Sequence, residues 1–194
     1  MSLNERNWII LFICGASGTG KSSVAYELAR RYNVNIISTD DISQTVKAAT
    51  TVKSHPAIHY WIGDNDWLDI GVNGNVECVI NAGKELIPAL KTITENHIQS
   101  GVPVIIEGDC IYPEFTVSFK DSKIKSCCLK EPNKNQILQN LFNREGRELQ
   151  HYRAEVSAMY NKWLSDTCEK FNIPIVEALP WSTLAERVID SLRS

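Results

Sequence analysis

A chain of 194 residues, 43% hydrophobic and 22% charged, can bury one full core and is too apolar to remain disordered. Its formal net charge of −3 argues against a strong non-specific hold on nucleic acid, which needs an excess of Lys and Arg. The apolar runs fall short of a membrane span, so no membrane partner is expected. The six cysteines (Cys14, Cys78, Cys110, Cys127, Cys128, Cys168) form no C-x-x-C pair, and several sit in apolar runs. They read as reduced, buried thiols of a cytoplasmic protein rather than a metal or disulfide framework.

The first apolar run, Trp8 to Cys14, leads straight into Gly15-Ala16-Ser17-Gly18-Thr19-Gly20-Lys21-Ser22. It is read as a buried first strand rather than a short signal peptide. After the turn, Val24, Ala25, Leu28, Ala29 and Tyr32 recur at helical spacing. Strand, glycine-rich turn and helix in that order build a phosphate cradle of the G-x-x-x-x-G-K-[ST] type. The turn aims successive amides at an anion, and the helix N-terminus adds positive potential. Lys21 is expected on the β- and γ-phosphates, and the Ser22 hydroxyl on Mg²⁺. Ser23 completes the expected nucleotide-binding set.

Further along, Val34 to Ser38 reads as strand two, Thr39-Asp40-Asp41 as a polar edge, and Ile42 to Ala49 as a helix. Residues 50–74 hold Pro56, Trp61, Trp67 and three glycines without a period, and read as short helices and loops. A long helix follows from Val76 to His97, with a kink expected at Pro88 and closure at Gly101. Val102 to Gly108 and Ile124 to Leu129 are the next strands, with Cys127 and Cys128 pointing to opposite faces. Helices are expected over 133–145, capped by Asn133 with Gln136 reciprocating, and over 149–171. Ile173 to Val176 is a fifth strand, and Thr183 with Glu186 offers a capping box for the last helix. Apolar strands alternating with helices indicate a single three-layer α/β/α domain around a parallel sheet.

In such sheets ligands gather beyond the carboxyl ends of the strands. There Asp40 accepts the proton of an attacking hydroxyl or holds a water of the Mg²⁺ shell, or else it caps the following helix; Asp41 stands beside it. Glu107, with Gly108 allowing close approach to the backbone and Asp109 beyond, either serves the metal or is a solvated strand end. Arg144 and Arg147 flank Gly146, where they close over the triphosphate as a lid at about 144–153, or else complement a helix C-terminus. Trp61 and Trp67, near Asp64, Asp66 and Asp69, read as local core.

Gly15 to Ser22, Ile37-Ser38-Thr39-Asp40, and Ile105-Ile106-Glu107-Gly108 followed by Pro113 together resemble the P-loop kinase module of 2-phosphoglycerate kinases. That module is similar to other kinases of the adenylate-kinase-like group. The resemblance implies sheet order 2-3-1-4-5, ATP and Mg²⁺ as cofactors, and phosphorylation of a small-molecule hydroxyl. It also implies an acceptor site near Asp40 and lid arginines. The family usually has Arg where this chain has Ser43, and His where it has Cys110; Lys47, one turn on, offers a compensating cation. Two other readings share these motifs: a polynucleotide 5′-end kinase, which the acidic balance disfavours, and an ATP-binding switch that transfers nothing.

Overall fold

The strand that runs into the phosphate loop, β1 (Ile10–Gly15), alternates its side chains between two cores. In the computed structural model, which describes residues 6–63, 67–146 and 150–193, all six of its residues are buried. A strand buried on both faces must lie inside its sheet. β1 pairs in parallel with β3 (Val104–Gly108) on one side and β4 (Ile124–Lys130) on the other. β2 (Asn35–Ser38) and β5 (Ile175–Glu177) form the outer strands, so the order is β2-β3-β1-β4-β5, as the resemblance implied.

Helices cover both faces. Ile10, Phe12 and Cys14 face a core completed by α2 (Thr39–Ala49), α3 (Pro56–Trp61), α4 (Gly71–Ser100), α5 (Pro113–Val117) and α7 (His151–Lys170). Leu11 and Ile13 face the opposite core, closed by α1 (Lys21–Tyr32) and α8 (Leu184–Ser191). Cys128 lies in the first core and Cys127 in the second, on opposite faces of β4 as expected. A small third cluster, Ile137, Leu141 and Ala154, joins α6 (Lys134–Glu145) to α7 beyond the sheet. All six cysteines are free and buried. Among the described residues no helix is long and apolar enough to cross a membrane.

Several local expectations are corrected. The expected long helix begins earlier, at Gly71, carries Pro88 in its interior between the fully buried Leu86 and Leu90, and closes at Gly101 as expected. α3 starts at Pro56, and its free amides at Ala57 and Ile58 are taken by the Glu85 carboxylate of α4, a cap from far along the chain. Asn133 caps α6 by accepting from the Asn135 amide, but Gln136 turns to Asn140 instead of reciprocating. No capping box forms at α8: Thr183 ends a 3-10 turn (Trp181–Thr183), its hydroxyl donates to the Pro180 carbonyl, and Glu186 pairs with Arg31.

Candidate active site

The phosphate loop is ordered by its own carbonyls and by α6. The Ala16 carbonyl accepts from the Thr19 hydroxyl at 2.8 Å and from the Lys21 ammonium at 3.4 Å. The Asn140 amide donates to the Gly18 carbonyl at 2.8 Å. Gly20 takes φ 84°, a left-handed conformation that side chains avoid, and a Cβ there would also strike the Trp181 ring. Ser23 lies on α1 in a groove shared with Trp181 and Asn143.

Lys21 is buried, and its ammonium forms an ion pair with Asp109, the acid just past β3. Burial works against the charged ammonium, but Asp109, reinforced by Glu107 and Asp40, outweighs it and holds the lysine above its usual range. The Ser22 hydroxyl donates to Glu107 at 3.1 Å. Burial pushes the Glu107 carboxyl up, opposed by Lys21 and the Ser22 hydrogen bond. A hydroxyl against a carboxylate, with Asp40 and Asp109 lining the same cleft, is a hard-oxygen donor set that suits Mg²⁺.

Asp40 also lines this cleft. The helix N-cap that its position suggested is instead Ser38, whose hydroxyl oxygen accepts from the Asp40 amide at 3.2 Å. Its carboxylate is thus left for the cleft. Although open to solvent by area, it is pushed up, first by desolvation from the surrounding cleft and then by repulsion from Asp109, against Lys21 and Arg144. Asp41 is exposed one residue on and is not among the residues that line the cleft.

Gly108 lines the cleft and also has a packing role. A Cβ at this position would overlap the Thr39 side chain, so the glycine lets β3 and the start of α2 come together and seats Asp40 beside Glu107. Gly108→Ala is expected to cost about 1–3 kcal/mol through overpacking, or several degrees of Tm in a thermal melt.

The arginines also rearrange the expectation. Arg144 lines the cleft and pairs with Glu145 at 2.7 Å, while Arg147 lies outside the described residues. Sequence reasoning missed Arg153 on the first turn of α7. Its guanidinium bonds Glu145 at 2.7 Å and reaches the Ser17 hydroxyl of the phosphate loop at 3.3 Å. Asp109, seen only as a neighbour of Glu107, is the second omission. Its signal was an acid two residues beyond the end-of-strand Glu107, which can face back across the sheet to β1's loop. Arg144, then Gln150 and Arg153, pull the Glu145 carboxyl down to about 2, against its partial burial. A depressed carboxylate stabilises above its unfolded pKa of about 4.3 and loses that contribution as pH falls through the folded value. Glu145→Gln is therefore expected to destabilise the fold at pH 6 by no more than about 1 kcal/mol per exposed pair, read as a lower Tm. The gap from wild type should shrink steadily in melts taken down towards pH 3.

Trp61 and Trp67 have a second role beside packing. They are half-buried with ring centroids 4.6 Å apart; Trp61 packs against the first core as expected, and both also line the cleft. Ser43 and Cys110, where the resemblance expected polar contacts to an acceptor, are buried at 3% and 1% exposure. The Ser43 hydroxyl donates to the Thr39 carbonyl, and Lys47 is committed to the Ile62 carbonyl at 2.7 Å.

A parallel 2-3-1-4-5 sheet whose central strand enters a glycine-rich phosphate loop defines a protein with the α/β/α fold of P-loop kinases. No family model matches the chain. Among curated proteins it is similar to the 2-phosphoglycerate kinase of Methanocaldococcus jannaschii, 23% identical over 204 residues, covering 95% of this chain and 63% of that one. It is also similar to the 2-phosphoglycerate kinase of Methanothermobacter thermautotrophicus, 26% identical over 206 residues, covering 95% and 65%. The chain thus spans just under two thirds of the length of these relatives. Among solved structures it resembles a gluconokinase from Sinorhizobium meliloti with TM-score 0.57 and 14% identity, covering 97% of this chain and 94% of that one. A shikimate kinase from Acinetobacter baumannii, in complex with shikimate, gives TM-score 0.53 and 15% identity, with 94% and 92% covered.

Proposed function

We propose that the chain is an ATP-dependent kinase that transfers the γ-phosphoryl group to a hydroxyl of a small molecule. One observation carries the reading: the phosphate loop's Lys21 and Ser22 meet Asp109 and Glu107 at one end of a cleft that also holds the uncapped carboxylate of Asp40. Relatives named 2-phosphoglycerate kinase and fold neighbours named for small hydroxy acids support the same class.

In this mechanism the loop amides and Lys21 bind the β- and γ-phosphates, and Lys21 leaves Asp109 to do so. Ser22, with Glu107 and Asp109 behind it, would hold Mg²⁺, and the chemistry that ion would supply there is neutralisation of phosphate charge. Asp40 orients the acceptor hydroxyl and takes its proton as the oxygen bonds to phosphorus and the bond to the ADP leaving oxygen breaks. Arg153 and Arg144, carried by α6 and α7 and tied together through Glu145, close over the donor as a lid on the single domain. A cytoplasmic location is in keeping with the six free thiols.

The test is transfer of label from γ-labelled ATP to pooled hydroxylated metabolites with Mg²⁺ present or chelated. A labelled metabolite that needs Mg²⁺ supports the reading. Nucleotide hydrolysis without any labelled product would make the protein a switch instead.

A further inference from the structure

We propose that the acceptor is an uncharged hydroxyl compound bearing a planar ring, of nucleoside or aryl-diol size, rather than a small phosphorylated acid. This rests on the phosphoryl-transfer reading and concerns the half of the cleft built by α2, α3 and α4.

That half is aromatic and, apart from Asp40, uncharged. The Trp61 and Trp67 rings meet at 52° and form a wall, continued by Ile62 and Val79. The wall is fixed in place. The Trp67 carbonyl accepts from the buried Asn75 amide of α4 at 2.6 Å and from the Tyr152 hydroxyl of α7 at 2.9 Å. Indole faces held this way suit a flat ring, which gains contact area without losing hydrogen bonds. From α2 come Asp40, for the reacting hydroxyl, and Gln44, an uncharged donor and acceptor for a second polar group.

The charges point the same way. Lys21, Arg144 and Arg153 are engaged at the donor end, with Asp109, Glu145 and Ser17. Lys47, the cation of α2 closest in sequence to the wall, is held by the Ile62 carbonyl. An acceptor phosphate would therefore face Asp40, Glu107 and Asp109 with every lysine and arginine that lines the cleft among the described residues already committed to the triphosphate or lid, leaving His151 as the remaining basic side chain on that lining. A neutral ring compound meets no such repulsion. The cleft, about 910 Å³, holds a triphosphate together with a molecule of that size. The bond changes are those of the transfer above: the acceptor oxygen bonds to the γ-phosphorus, its proton passes to Asp40, and ADP departs with the electron pair of the broken bond.

The experiment has two arms. Thermal stabilisation by Mg²⁺–ATP alone tests the donor site. Transfer from labelled ATP is then compared for adenosine, uridine and 1-phenylethane-1,2-diol against 2-phosphoglycerate, 3-phosphoglycerate and gluconate. A ring compound is expected to show kcat/KM at least tenfold above every acid. Trp67→Leu should raise its KM about tenfold with less change in kcat, as loss of stacking does. Gln44→Arg, an exposed change that leaves the core untouched, should move the preference towards the acids by a similar factor. Preference for an acid in the wild type, or no transfer to any ring compound while Mg²⁺–ATP binds, overturns the proposal and leaves the kinase reading standing. Absence of Mg²⁺–ATP stabilisation removes the kinase reading and this proposal with it.

Discussion

Lys21→Ala is expected to lower phosphotransfer by at least about 10³-fold, because a buried cation aimed at the transferring phosphoryl group is among the largest electrostatic contributions to such reactions. The same change should abolish thermal stabilisation by Mg²⁺–ATP. It should also lower the Tm of the nucleotide-free protein, since Asp109, Glu107 and Asp40 are left near one another without the ammonium that compensates them. Adding Asp109→Asn to Lys21→Ala removes that uncompensated charge. The double variant should recover most of the lost Tm and none of the activity. Melting curves and labelled-phosphate transfer on the three proteins check both halves. If Lys21→Ala transferred phosphate at the wild-type rate, the loop would have another role.

Asp40→Asn is expected to lower kcat by about 10²–10⁴-fold, the range for loss of a positioned proton acceptor. Its effect on stability should be of opposite sign. A carboxyl whose pKa is raised in the folded state contributes stability below its unfolded value and loses it as pH rises through the raised one. At neutral pH the ionised Asp40 therefore counts against the fold, so Asp40→Asn should melt at or above the wild-type temperature. The acid limb of kcat/KM should lie above the ordinary carboxylate value of about 4 and disappear in the variant. A pH–rate profile of both proteins, taken with any acceptor that is turned over, is the measurement. An unchanged kcat would return Asp40 to a structural role.

The strands were legible within about two residues, because burial on both faces demands continuous apolar runs and these stand out between turn residues. β1, β3 and β4 lie where Trp8 to Cys14, Val102 to Gly108 and Ile124 to Leu129 placed them. Helix ends fared less well wherever the partner was remote. Ala57 and Ile58 are capped by Glu85, and Thr183 is drawn to Pro180 in a 3-10 turn, so local capping patterns could not foresee either end. In the cleft, Asp40 and Glu107 stood at strand ends where the topology concentrates ligands, and Lys21 and Ser22 where the phosphate loop enters α1. Arg153 and the tryptophan wall did not, since nothing local says which face of α7, or which side of an irregular segment, turns toward the loop.

The chain's own order of residues determined the phosphate loop, the parallel sheet and the acids at its carboxyl edge, all of which follow from short-range pattern and spacing. Only the tertiary structure decided that Lys21 rests on Asp109, that Ser38 rather than Asp40 caps α2, and that Trp61 and Trp67 face the cleft. Those outcomes depend on distances between elements far apart in sequence, where packing and electrostatics, not periodicity, select one partner among several.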